Sequence, residues 1–133
     1  MSGLTTVALA IGLGLFGSNH PSNAPPSRDD ISQVEEKIRL PDDAPASLQH
    51  YERYYAWTVD DDGKRVIYGE LVFVDLLGAA RPPGGLGRTH AINEKDMPAI
   101  ANGGCGVIVL YFDLRSGRRP ALYCNAVAPS SSP

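Results

Sequence analysis

The sequence predicts a small α+β fold: an antiparallel sheet of four to five strands made from two hairpins, with one or two short helices against a face. Three observations carry this reading. Val107 to Phe112 is an unbroken apolar run followed, after a polar break, by Ala121 to Ala126. Glu52 to Asp60 and Arg65 to Val74 are two β-rich segments on either side of Asp60-Asp61-Asp62-Gly63. Glycine and proline, 14 and 11 residues respectively, gather in segments that mark the ends of the folded part.

The last hairpin is the organising element. Six consecutive apolar side chains require both faces of the strand to be covered, as in a central strand. Asp113-Leu114-Arg115-Ser116-Gly117-Arg118 supplies turn chemistry, because aspartate bonds the backbone ahead of it and glycine takes positive φ. Reversal brings Cys124 towards Cys105, and a disulfide is expected between them. A tight turn at Ser116-Gly117 would leave Cys124 opposite Val109, so the bridge needs a longer loop or a bulge. The alternative is two buried free thiols. The pair has no C-x-x-C spacing, which excludes a thioredoxin-type centre and leaves a zinc site short of ligands.

Composition sets further bounds. The chain has 133 residues, 43% hydrophobic and 20% charged, which is enough for one domain. A net charge of −3 and a pI of about 5.5 argue against nucleic acid as a partner. The expected division is an N-terminal segment over 1–17, a linker with a short helix over 18–40, the α+β domain over 41–127 and a disordered tail over 128–133.

Leu4 to Phe16 is apolar and uncharged but shorter than the ~20 residues a helix needs to cross a bilayer. It reads first as the apolar part of a signal peptide, second as an uncleaved membrane anchor, third as a buried helix. An exported protein, periplasmic or secreted, is therefore expected, with membrane contact only through residues 4–16. Ser18 to Arg28 has linker composition. Asp29-Asp30 can cap a helix whose Ile31, Val34 and Ile38 form a narrow apolar stripe, suited to resting on the sheet or docking a partner.

Pro45 opens one helical turn over Ala46 to Gln49, and Tyr51, Tyr54, Tyr55 and Trp57 follow. The aspartates at 60–62 fail a calcium-loop count: with Gly63 sixth, positions one and twelve fall on Thr58 and Gly69. Leu77 to Arg88 is a glycine- and proline-rich loop without the ending of a phosphate-binding loop; Arg81 and Arg88 there are candidates for an anionic partner. Thr89 to Asn93 reads as a short strand and Met97 to Ala101 as a brief helix capped by Asp96. The predicted core is Tyr54, Trp57, Tyr68, Leu71, Phe73, Ile100, Ile108, Leu110 and Leu122.

No catalytic residue, metal site or cofactor is assigned. The leading expectation is an exported binding or interaction module, an inhibitor of a secreted enzyme being one form of it. It would act on a protein or small ligand through its aromatic strand face or the 81–88 loop, with Arg81, Arg88, Tyr54, Trp57 and His90 as the binding candidates. The alternatives are a small hydrolase using His90, Glu94 and Asp96, and a membrane-tethered structural protein.

Overall fold

A computed structural model describes residues 24–80 and 85–125, and the side chains of 79 and 80 fall outside that description. The expected leader and tail, and Arg81, lie outside the described residues.

One helix, α1 (Arg28–Lys37), precedes five strands: β1 (Tyr51–Val59), β2 (Arg65–Phe73), β3 (Thr89–Ala91), β4 (Val107–Phe112) and β5 (Ala121–Cys124). The sheet order is β3-β1-β2-β4-β5. The fold is α+β as expected, but the sheet is mixed. β3 lies parallel to β1, whereas β1–β2, β2–β4 and β4–β5 are antiparallel.

The first helix starts one step earlier than its aspartates suggest. Ser27 is the N-cap, accepting from the Asp30 backbone N–H at 3.1 Å while Asp30 accepts from the Ser27 N–H at 3.0 Å. This capping box satisfies two donors that the first turn otherwise leaves open. A helix this short is marginal by itself. Its stripe of Ile31, Val34 and Ile38 is buried in the core, worth about 1.5–3 kcal/mol per side chain, and this burial holds it.

The β1–β2 turn explains the run of aspartates. Asp60 Oδ1 accepts from the backbone of Asp62 at 2.9 Å and of Lys64 at 2.8 Å, and Gly63 sits at φ 80°. The turn fixes the register Tyr51↔Phe73 through Val59↔Arg65. That register puts Tyr51, Tyr55, Ile67 and Leu71 on one face, joined by Ile108, Leu110 and Phe112 of β4 and by α1.

Tyr51 and Tyr55 are fully buried, whereas the predicted core residues Tyr54, Trp57, Tyr68, Phe73 and Leu122 are half-buried and Ile100 is exposed. Val107 to Phe112 is also not covered throughout, since Tyr111 is exposed.

The parallel strand follows from the long return over residues 74–88. Gly87 donates to Gln49 O at 2.8 Å, Arg53 to Arg88 O at 2.8 Å and Ile92 to Tyr55 O at 2.9 Å. Gly87 crosses so close to β1 that a Cβ there would stand 1.9 Å from Tyr51 O, so only glycine fits. The segment after β3 forms a 3₁₀ turn at Glu94–Asp96, not a helix over Met97 to Ala101. Met97 precedes Pro98 and is extended, at ψ 140°, as the proline ring requires of its neighbour. The single turn expected at Ala46 to Gln49 falls instead at Leu48–His50.

Cys105 and Cys124 are bridged, with their Cα atoms 4.4 Å apart. The longer connection over Asp113 to Pro120 sets Cys124 opposite Ile108. A 3₁₀ turn at Gly104–Gly106 then folds Cys105 back to it, with Gly103 and Gly104 at φ 125° and 54°. With 19 positions separating the cysteines, replacing both by serine removes about 3 kcal/mol of stability in the loop-entropy account. Urea unfolding with and without reductant measures it, and the doubly substituted chain is expected to ignore the reductant.

Candidate functional site

The register divides the polar and aromatic residues between two faces. The helix-covered face carries Arg53, Tyr55 and Trp57. The opposite face carries Glu52, Tyr54 and Thr58 of β1, Tyr68 and Glu70 of β2, His90 of β3, Tyr111 of β4 and Tyr123 of β5.

On the helix side, Glu35 Oε1 accepts from Arg53 Nε at 2.7 Å, from the Tyr55 hydroxyl at 2.9 Å and from Thr89 Oγ1 at 3.4 Å. Arg53 also donates to the carbonyls of Leu48 and Tyr51, each at 3.2 Å, and to Thr89 Oγ1 at 2.9 Å. Burial, then the charge of Glu35, pushes the Tyr55 hydroxyl pKa strongly upward. A shallow depression of about 380 Å³ opens here, lined by Glu35, Ser47, Leu48, Gln49 and Arg53. Its charged groups already serve one another, tying α1, β1 and β3 together, so it is a joint of the fold. Trp57 lies on this side too, with Arg65 Cζ 4.0 Å from the centre of its ring.

On the opposite side, Glu52 is buried and accepts from the Arg88 backbone at 3.1 Å. His90 Nε2 stands 2.5 Å from its Oε1, and Arg88 Nε 3.7 Å. The His90 ring stacks on Tyr54, centroids 4.7 Å apart and planes 13° apart. The Arg88 side chain is largely exposed. Glu94 accepts from Thr58 Oγ1 at 2.7 Å, and Asp96 is exposed. His90 and Glu94 thus have separate partners and form no acid–base pair. Among the described residues no hydroxyl or thiol nucleophile is bonded to His90, and no cluster of three or more metal-ligating side chains occurs.

Glu70 is the second buried carboxylate, accepting from the Tyr68 hydroxyl at 3.4 Å and from the Ile100 backbone N–H. Burial raises its pKa, partly offset by those two hydrogen bonds. The 94–103 segment that supplies Ile100 crosses this face. It is tied at its far side by Asn125 Nδ2, which donates to Ile100 O at 2.6 Å and Asn102 O at 3.2 Å.

Beyond this crossing lies a tyrosine surface. Tyr68 stacks on Tyr111, centroids 5.3 Å and planes 25° apart, and Tyr111 and Tyr123 are 43% and 58% exposed. Burial raises the Tyr68 hydroxyl to about 12, and the charge of Glu70 adds to the effect. The sequence alone points neither to Tyr68, Tyr111 and Tyr123 as binding residues nor to Glu52 and Glu70 as buried carboxylates. Strand alternation could have placed the tyrosines on one face, but only the pairing of β2 with β4 joins Tyr68 to Tyr111.

Glu52→Ala removes the acceptor for the Arg88 backbone and His90. It is expected to cost about 2 kcal/mol in urea unfolding and to speed amide exchange at Ile92. Because the Glu70 carboxyl has a raised pKa in the fold, its stabilising share is complete below the unfolded carboxylate pKa of about 4 and is lost as pH rises through the folded value. Glu70→Gln, which cannot ionise, should therefore gain on the wild type between acidic and neutral pH. Thermal melts from about pH 4 to 7 measure the difference.

Among the described residues no helix is long and apolar enough to cross a membrane. Comparison with family models, with curated proteins and with solved structures finds no match for this chain.

Proposed function

We propose that the chain is an exported, non-catalytic binding module whose ligand surface is the open sheet face at Tyr68, Tyr111 and Tyr123. The carrying observation is the exposure of Tyr111 and Tyr123, 43% and 58%, on paired strands whose ends are joined by a disulfide. Large aromatic side chains left in water on a rigid sheet give area and orientation to a partner at little ordering cost. The bridge and the apolar leading segment support export, since disulfides persist in oxidising compartments. A binding role also accords with His90 being held by Glu52 and Tyr54, with no nucleophile among the described residues bonded to its ring.

Tyr111→Ser combined with Tyr123→Ser tests the reading on arrays of defined peptides and oligosaccharides. Ligands retained by the wild-type chain should lose at least about tenfold in affinity while the melting temperature stays within a few degrees. Hydrolysis of ester, amide or glycoside probes that disappears in His90→Ala would reject it, as would arrays on which the two chains behave alike.

A further inference from the structure

Resting on the binding-module reading, the geometry points to an acidic peptide segment of a partner protein as the occupant of the tyrosine face, with an aspartate or glutamate side chain seated over Ala121.

The outer row of β5 supplies the shape. Leu122 packs against the core and Pro120 is buried, whereas Arg119, Ala121 and Tyr123 are exposed. Arg119 precedes a proline, whose ring holds it extended, so the alternation of β5 runs on through it and sets all three on the open side. The register pairs Ala121 with Tyr111 and Tyr123 with Val109. One methyl group therefore lies among three long side chains, with Tyr111 directly across and Arg119 and Tyr123 two positions to either side. Opposed side chains stand about 4.5–5.5 Å apart and diagonal ones about 7–8 Å, which leaves a notch one side chain wide with Ala121 as its floor. Tyr68, stacked on Tyr111, supports that wall.

Charge selects what enters the notch. Glu52 and Glu70 are each 2% exposed and already bonded, and Glu94 accepts from Thr58. Asp113, the nearest carboxylate along β4, turns to its own loop and accepts from the Arg115 backbone N–H at 3.0 Å. Arg115, Arg118 and Arg119 are exposed, and among the described residues no carboxylate pairs with their guanidinium groups. Lys37 donates to Gly117 O, which ties the connection bearing these arginines to the end of α1. Arg88, at the far margin of the face, faces Glu52. The accessible charge beside the exposed tyrosines is thus positive although the chain carries −3. A planar carboxylate matches the guanidinium fork of Arg119, and the short methylene stem of aspartate or glutamate fits between the rings. A carboxylate fixed directly to a sugar ring has no stem with which to reach the floor.

The test uses the oxidised full chain, ¹⁵N-labelled, titrated with capped Gly-Glu-Gly-Glu-Gly. The same backbone bearing lysine, trigalacturonate and sodium sulfate are titrated in parallel at matched ionic strength. Saturable shifts at the Tyr111, Ala121 and Tyr123 amides with the glutamate peptide, weakening as salt is added, are expected. Arg119→Gln should weaken binding about fivefold or more, and Arg119→Lys, which keeps the charge without the fork, about twofold. Ala121→Leu fills the notch and should weaken binding about fivefold or more. Arg115→Gln, in the same connection but outside the row, should cost less than about twofold. Arg119→Gln lies outside the paired strands, so its result stands whether or not Ala121→Leu folds.

Equal or stronger binding of the lysine peptide, trigalacturonate or sulfate at these amides would overturn the acidic-peptide assignment and leave the binding module standing. Glutamate-peptide binding that survives Arg119→Gln, or that falls as far with Arg115→Gln, overturns the assignment as well. Sedimentation showing that two copies cover these residues names a different occupant and also overturns it. No probe shifting any amide of this face counts against both readings.

Discussion

The structure depends on one constraint, the register that the Asp60–Gly63 turn imposes on β1 and β2. Side chains alternate along a strand, so a slip of one position would send Tyr51, Tyr55, Ile67 and Leu71 to water and bring Glu52 and Glu70 under α1. Asp60 holds two backbone donors of its own turn, which makes the neighbouring register costly. α1 contributes only two buried residues to the core, Ile31 and Val34, with Ile38 at its C-cap, and depends on this sorting for its place. The Glu35, Arg53, Tyr55 and Thr89 network then joins α1, β1 and the parallel edge strand β3.

Much of this architecture was legible in the residues. The two hairpins and the sulfur pairing follow from turn chemistry and apolar runs, which are local signals. The parallel placement of β3 was not legible: three residues carry no periodicity, and the strand is defined by a crossing in which Gly87 approaches the Tyr51 carbonyl. Ile100 entered the predicted core on hydrophobicity alone, but its segment spans the face with its backbone engaged by Glu70 and Asn125. Buried glutamates were missed because composition assigns such residues to the surface, and only pairing revealed the donors that satisfy them.

The candidate surface was less legible than the fold. His90 and Glu94 have the spacing of a helical pair, yet they occupy an extended strand and a turn, where side chains four apart do not converge. Tyr54 and Trp57, neighbours in the aromatic run, were separated by alternation, one stacking on His90 and the other under Arg65. The two tyrosines left in water come from the consecutive strands β4 and β5, and only the pairing of β2 with β4 brings the half-buried Tyr68 beside Tyr111.

The outermost strands of the sheet are short, three residues in β3 and four in β5, and Pro120, which has no backbone donor, immediately precedes the latter. Unpaired margins of a sheet are templates on which further chains stack into fibrils. Ladders this brief give an incoming strand few hydrogen bonds, so the architecture resists runaway self-assembly even though its broad face leaves aromatic rings in contact with solvent.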